Sequence, residues 1–292
     1  MGKKAYSGND LSQYEVGKSS VVAKVFIWIF MIIWAIINLY PLYWMFTFAL
    51  KDNKQIQVTN QFGLPKPAHW DNYKKALDSG PIVRYFLNSV FVTVLTIAIT
   101  LIAALMATYA ITRIEWNMSK TVEKLFMLGI TIPVQASLIP VFIILSRLEM
   151  LDSFQALIIP YAAFALAMAI LICTGFMTEI PISLDEAAYI DGCGRAGVFF
   201  RIILPLMKPA MATASIYTFL QCWNELIFAQ TFNSKDDYMT LPAGIRQMVG
   251  THTTEWGPVG AALALATFPM LIVYILLSRK IQDSFIAGAV KG

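Results

Sequence analysis

Glu186-Ala187-Ala188-Tyr189-Ile190-Asp191-Gly192, continued by Cys193-Gly194-Arg195-Ala196-Gly197-Val198-Phe199-Phe200-Arg201-Ile202-Ile203-Leu204-Pro205-Leu206-Met207-Lys208-Pro209, is a polar stretch set between two long apolar runs. Merely reversing a chain does not call for so specific a segment. Pro181 breaks the helix arriving from upstream. Ser183 followed three residues later by Glu186 fits a capping box, so a short helix is predicted from about Leu184. Asp185 and Glu186 in its first turn complement the helix dipole, and Gly192 and Gly194 can end it. A second helical stretch over about 195–203 follows, closed by Pro205 and Pro209. The product is a helix–glycine–helix hairpin lying outside a bilayer. Phe199, Phe200, Ile202 and Ile203 give it an apolar side, and exposed apolar surface beside charge marks a docking element.

The remainder of the chain explains why a bilayer enters the reading. Of 292 residues, 58% are hydrophobic and 14% charged, against about 25% charged in an ordinary soluble domain. Six apolar runs, at about 25–49, 86–111, 124–145, 156–177, 209–230 and 259–278, each approach or exceed the ~20 helical residues that cross a hydrocarbon core. Backbone groups in lipid must pair internally, so these runs are predicted to be helices. Pro41, Pro133, Pro140, Pro160 and Pro269 fall inside them, where neighbouring helices can satisfy the freed carbonyls. Six spans put both termini on one side. That side carries thirteen Lys and Arg against nine on the other, so both termini are expected in the cytoplasm. The resulting segments are a cytoplasmic N-terminal stretch (1–24), a first span with its external loop (25–82), a core (83–281) containing the hairpin loop (178–208), and a C-terminal tail (282–292). The first external loop is expected to hold a short helix near 71–77. The first apolar run is too long for a signal-peptide core and reads as an anchor that stays in place.

Several chemistries find no support. The basic residues are scattered, with no basic stripe for nucleic acid. Cys173, Cys193 and Cys222 form no CxxC and read as free thiols; His69 and His252 stand alone, so no metal site is expected. Gly192-Cys193-Gly194-Arg195-Ala196-Gly197 spells GxGxxG, but a dinucleotide fingerprint needs a preceding strand, and a capped helix precedes this one. Gly17-Lys18-Ser19 resembles the end of a Walker A loop, yet Ser12 stands where its first glycine belongs. ATP is therefore not expected to bind here, and no catalytic residue or cofactor is assigned.

The hairpin resembles, residue by residue, the EAA motif of ATP-binding-cassette importer permeases. Glu186, Ala187, Ala188, Asp191 and Gly192 match its head; Phe199, Ile202, Leu204, Pro205 and Pro209 match its tail. Cys193 replaces a usual alanine, and Gly197 stands where a polar residue is common. Trp223-Asn224-Glu225 with Phe228-Ala229, then Thr240-Leu241-Pro242, and the closing Gly288-Ala289-Val290-Lys291-Gly292 are similar to the sugar-importer branch. The likeness is to the smaller permease subunit of maltose-type importers, over about 83–292. It implies an all-α integral membrane protein of six transmembrane helices with the type I importer permease (MetI-like) fold, in a bacterial cytoplasmic membrane. It also implies a homologous second permease, an ATPase dimer carrying ATP and Mg, an extracytoplasmic binding protein and an oligosaccharide cargo. Under this resemblance Glu186 pairs with a basic residue of the ATPase, Ala187 and Ala188 allow close approach, and Gly192 lets the hairpin bend. The tail (Gly288, Lys291, Gly292) reaches toward the ATPase.

A pathway through the bilayer has fewer markers. Glu225, with Gln221 and Asn224, lies near one end of the fifth span, and an intramembrane carboxylate suggests function. Tyr161, Tyr217 and Trp223 could offer faces to a sugar ring; interhelical packing is the competing role for the whole set. A secondary transporter or channel is the alternative class. It would want coupling charges at the midplane, where Glu225 is the lone candidate. Lysines of the first external loop lean toward acidic ligands or an acidic binding protein, without deciding between neutral and acidic sugars.

Overall fold

The computed structural model describes residues 21–250 and 254–289, the side chains of 22 and 277–289 excepted. Its first helix, α1 (Val21–Ala49), carries apolar side chains on every face, and nearly all of them point away from the rest of the chain. A helix that is apolar all round needs lipid or another subunit around it. Only its last turn is packed, at Thr47 and Ala49. There α2 (Asp71–Asp78) is tied on, because Asn72 Nδ2 donates to the carbonyls of Ala49 and Lys51, both at 2.9 Å. The short helix expected at 71–77 is thus present.

The next long helix, α3 (Ile82–Arg113), forms the spine. Thr96, Thr100, Ala104 and Thr108 recur every four residues along it and are fully or almost fully buried. Such a small-residue row lets another backbone approach closely. The third predicted span is not one helix. α4 (Ser119–Thr131) and α5 (Leu138–Arg147), the latter entered through a 3₁₀ turn at Val134–Ser137, lie at 94° to each other. Pro133 is the cause: the residue before a proline is pushed out of the helical region, and Ile132 sits extended at φ −77°, ψ 118°. Then α6 (Gln155–Glu179) runs unbroken through Pro160, with Ala165, Ala169, Ile170 and Cys173 buried against α3.

The hairpin follows as α7 (Ser183–Ile190), α8 (Arg195–Val198), a π-helical turn (Phe199–Ile203) and α9 (Leu204–Leu206). Pro205 does not close the second arm as expected. The wide turn just upstream makes room for its ring, and the chain bends by 71° only on entering α10 (Lys208–Trp223). The fifth span is also shorter than predicted: α10 stops at Trp223, and α11 (Ile227–Phe232) starts after a break at residues 224–226. Beyond it, α12 (Leu241–Gln247) caps the end opposite the hairpin, and α13 (Trp256–Ala289) completes the bundle. Among the described residues four helices are long and apolar enough to cross a membrane, or up to six if each bent pair counts as one span. Three buried clusters hold the molecule together. One lies at the hairpin, one at the opposite end between α2, α10 and α13, and one around α5, α6 and α11.

Candidate functional site

The hairpin is anchored from beneath and open above. Ala188, Val198, Ile203 and Met207 are buried among Ala104, Leu105 and Tyr109 of α3 and Ile170, Cys173 and Met177 of α6. Burying a side chain of this size stabilises by roughly 1.5–3 kcal/mol where water is the alternative. Polar ties add direction. Tyr109 Oη donates to the Arg195 carbonyl at 3.3 Å. Arg113, at the end of α3, donates through Nη2 to the carbonyls of Met177 (2.7 Å) and Ile180 (2.6 Å). Its Nη1 faces Asp185 Oδ2 at 3.6 Å, and both side chains are nearly buried. One guanidinium therefore fastens α3, the end of α6 and the first arm of the hairpin.

Several local expectations need correction. No capping box forms: Ile182 is the N-cap residue, already helical, and Ser183 makes no capping bond. Asp185 and Glu186 do stand in the first turn as expected, but Asp185 is in addition the buried counter-ion of Arg113. The expected apolar side also faces the other way. Phe199, Ile202 and Ile203 pack inward, Phe199 with its ring 5.1 Å from that of Tyr109; only Phe200 is open, at 63% exposure. The exposed apolar surface instead belongs mainly to the first arm, through Ile182, Leu184, Tyr189 and Ile190, the last 87% exposed.

The glycine does what the sequence required. Gly192 has φ +82°, its N–H donates to the Tyr189 carbonyl (3.0 Å), and the Cys193 N–H reaches back to Ala188 (2.9 Å). This pair of bonds is a Schellman closure, and it needs a residue at ease with positive φ. Around it Glu186, Ala187 and Asp191 are exposed, and Glu186 has no ion pair among the described residues. Ala188, by contrast, is buried in its own bundle. Leu204 is half-buried and Pro205 exposed. Of the tail, Gly288 falls in the last turns of α13, while Lys291 and Gly292 lie outside the described residues, as do His252 and the Gly17-Lys18-Ser19 stretch.

The residues expected along a pathway divide into two groups. Tyr161, Gln221, Asn224 and Glu225 line one cavity of about 510 Å³, together with Gln135 and Phe164. Glu225 is held there firmly. It accepts from Tyr161 Oη at 2.5 Å and from the N–H groups of Phe228 (2.8 Å) and Ala229 (3.1 Å). Those amides open α11, whose N-cap residue is Leu226, so the Glu225 carboxylate satisfies them from one residue upstream, at the break in the fifth span. Trp223 points elsewhere: it is buried, stacks on Phe219 at 5.4 Å and donates to the Ala266 carbonyl at 3.1 Å. For Trp223 the packing role is the one realised. Tyr217 is exposed on α10 and lines no part of this cavity. Among the described residues no cluster of His, Cys, Asp and Glu could hold a metal ion, and Cys173, Cys193 and Cys222 are free.

A bundle of apolar spans, two of them interrupted beside a cavity, with a rooted hairpin at one end, is the build of a multi-pass membrane protein. Comparison with known proteins makes the class specific. Residues 76–285 match the family described as "Binding-protein-dependent transport system inner membrane component", and the chain belongs to that family. It is 34% identical over 271 residues to "Probable ABC transporter permease protein YurM" of Bacillus subtilis (strain 168), covering 93% of this chain and 90% of that protein. It is 31% identical over 283 residues to "Trehalose/maltose transport system permease protein MalG" of Thermococcus litoralis, covering 94% and 99%. Among solved structures, a bacterial ABC transporter involved in the import of the acidic polysaccharide alginate has a chain of the same fold. That match has TM-score 0.79 and 21% identity, and covers 90% of this chain and 97% of that one. The protein is a permease subunit of an ATP-binding-cassette importer.

Proposed function

We propose that this chain is one of two homologous permease subunits of an oligosaccharide importer, and that the hairpin 183–206 is its coupling element. The observation that carries the proposal is the hairpin's two-sidedness. Its inner face is locked to α3 and α6 by Arg113, Ile203 and Met207, while Glu186 and the apolar row through Ile190 stay open. In this reading Glu186 pairs with a basic residue of the ATPase, with Ala187, Asp191 and Gly192 at the same surface. Phe199, Leu204 and Pro205 hold the second arm in place. ATP and Mg belong to the ATPase dimer, both termini are cytoplasmic, and the tail beyond Gly288 extends toward the ATPase. A binding protein delivers cargo at the opposite end, near α2 and α12. The trehalose/maltose relative supports a saccharide as the cargo class.

Closure of the ATPase dimer on ATP would move the hairpin and shift the bundle from inward-open to outward-open. It can do so only through a difference in affinity for the two states. The test is Glu186→Lys. The variant is expected to insert into the membrane normally but to lose most of the ATPase on co-purification, with ATP-driven uptake falling at least about tenfold, as for a lost charge pair. Wild-type recovery of the ATPase together with wild-type uptake would refute the docking role.

A further inference from the structure

The two broken spans meet at one place. The first break supplies Gln135 to the 510 Å³ cavity, the second supplies Asn224 and Glu225, and α6 and α10 add Tyr161, Phe164 and Gln221. Unwound segments within a membrane protein are tolerated where they line a cavity, and in transporters such cavities hold the cargo. The volume lies within the roughly 300–1,000 Å³ of ordinary ligand pockets.

The polar groups around it are unevenly distributed. Glu225 accepts three hydrogen bonds and donates none. Asn224 Nδ2 donates one hydrogen bond, to the Leu220 carbonyl at 2.9 Å, which leaves its second N–H and its Oδ1 for a ligand. Gln221 Oε1 is buried and has no partner among the described residues. A buried acceptor left unpaired is costly, so a ligand that donates to it is favoured. Among the described residues no Lys, Arg or His lines the cavity. Tyr161, Phe164 and Phe228 supply aromatic surface beside these acceptors.

A ligand suited to this lining brings several hydrogen-bond donors, an apolar ring face and no negative charge. We infer that the cavity is a subsite, contributed by this subunit, for a neutral hydroxyl-rich pyranose unit of the cargo. A uronate or sulfonate would set its charge against Glu225 with no cation in reach. The inference rests on the importer reading and deepens it: this subunit selects neutral over acidic sugars. It runs against the lean toward acidic ligands drawn from the lysines of the first loop. Those lysines lie outside the cavity lining.

The experiment places a reporter thiol at the cavity, as Asn224→Cys in the full importer complex in membrane vesicles. The rate of its reaction with a polar maleimide is then followed. Maltose or cellobiose at millimolar concentration is expected to slow the reaction, and digalacturonate is expected to leave it unchanged. Adding Gln221→Leu should move the protecting concentration about tenfold upward, as for one lost hydrogen bond. If Asn224→Cys fails to assemble, Gln135→Cys reports on the same space from the other break. Protection by digalacturonate equal to that by maltose overturns the inference, and so does absence of protection by both neutral disaccharides. Recovery of the ATPase is measured on the same preparation. Its loss from the wild-type complex would count against the importer reading, while the protection pattern still decides the cavity.

Discussion

Asp185→Ala removes the only carboxylate facing Arg113 among the described residues, and the geometry sets the size of the effect. The charges are 3.6 Å apart, and both side chains are about nineteen-twentieths buried. At that separation, with an effective dielectric near 20, their attraction is about 5 kcal/mol. Breaking a buried pair from one side strands the other charge, and the measured cost of doing so is about 3–5 kcal/mol. Arg113 keeps its two carbonyl partners at Met177 and Ile180, which solvate the guanidinium without neutralising it, so about 3 kcal/mol is expected here. The loss should be local. Amides of residues 183–193 should exchange with solvent more than tenfold faster, because α7 loses its link to α3 and α6, whereas amides of α13 should be unaffected. Asp185→Asn keeps the shape and should recover part of the loss. Replacing both partners, as Arg113→Met with Asp185→Leu, should restore more than either single change, since the pair is then absent rather than half-present. Wild-type exchange rates in Asp185→Ala, or strictly additive effects in the double variant, would show that the pair does not hold the hairpin.

Single sites yield three further expectations. Gly192→Val places a β-branched residue at φ +82°; no atom lies within 4 Å of the new Cβ, so the penalty is conformational, about 1–2 kcal/mol. It should appear as weaker retention of the ATPase with little change in the bundle's thermal midpoint. Glu225→Ala leaves the Phe228 and Ala229 amides and the Tyr161 hydroxyl without their acceptor, and should cost about 2 kcal/mol by thermal unfolding in detergent, with Glu225→Gln retaining part. Lys51 is fully buried, and burial alone pushes its pKa below the ordinary lysine value. Between that lowered value and the unfolded ~10.4 the unfolded chain binds more protons, so stability should rise as pH climbs toward the ordinary lysine range, and this slope should be lost in Lys51→Met. The nearby Asp71–Lys75 pair does not blur this. Their hydrogen bond lowers Asp71 and raises Lys75, so its contribution is lost only in acid or above the lysine range.

The features legible in the sequence are governed by local rules, and those it hides are not local. Gly192 is readable because helix closure by a residue at positive φ is a matter of three or four neighbours. The helix at 71–78 is readable for the same reason. Pro133 is visible as a proline within an apolar run, but its consequence, a 94° bend, depends on what packs against each half. The break after Trp223 carries no proline or glycine. At that break the Glu225 carboxylate takes the amides of residues 228 and 229, and a carboxylate in an apolar run reads as a pathway group rather than as a partner of backbone amides. Asp185 stands in the first turn as read, but its ion pair is hidden by the same narrowness of view. Its partner Arg113 lies at the end of another span and registers in sequence only as one positive charge among the loops. The inward turn of Phe199 and Ile203 escapes because the π-helical turn ahead of Pro205 rotates the face that an ordinary helical period would present.

These placements bear on how motion at one end could reach the other. α10 has 16 residues, so at 1.5 Å per residue it spans about 24 Å. Its first turn carries Ala210, buried beside Ile203 and Met207 of the hairpin; its last residue, Trp223, borders the break where Glu225 meets Tyr161. α6 makes the same journey, from Met177 beside Arg113 to Tyr161 at the cavity. A hairpin joined to the bundle by slack loops would absorb a push from the ATPase within its own connections. This one is packed directly on Met177 and Ala210, both fully buried, so its displacement should carry them with it. Packed contacts of that kind transmit displacement as rigid bodies, and they deliver it to the two helices that close the cavity. If the hairpin is the coupling element, the Tyr161–Glu225 bond is therefore where its movement should first be felt by cargo. Loss of that bond with the hairpin intact should leave ATPase retention unchanged while uptake falls.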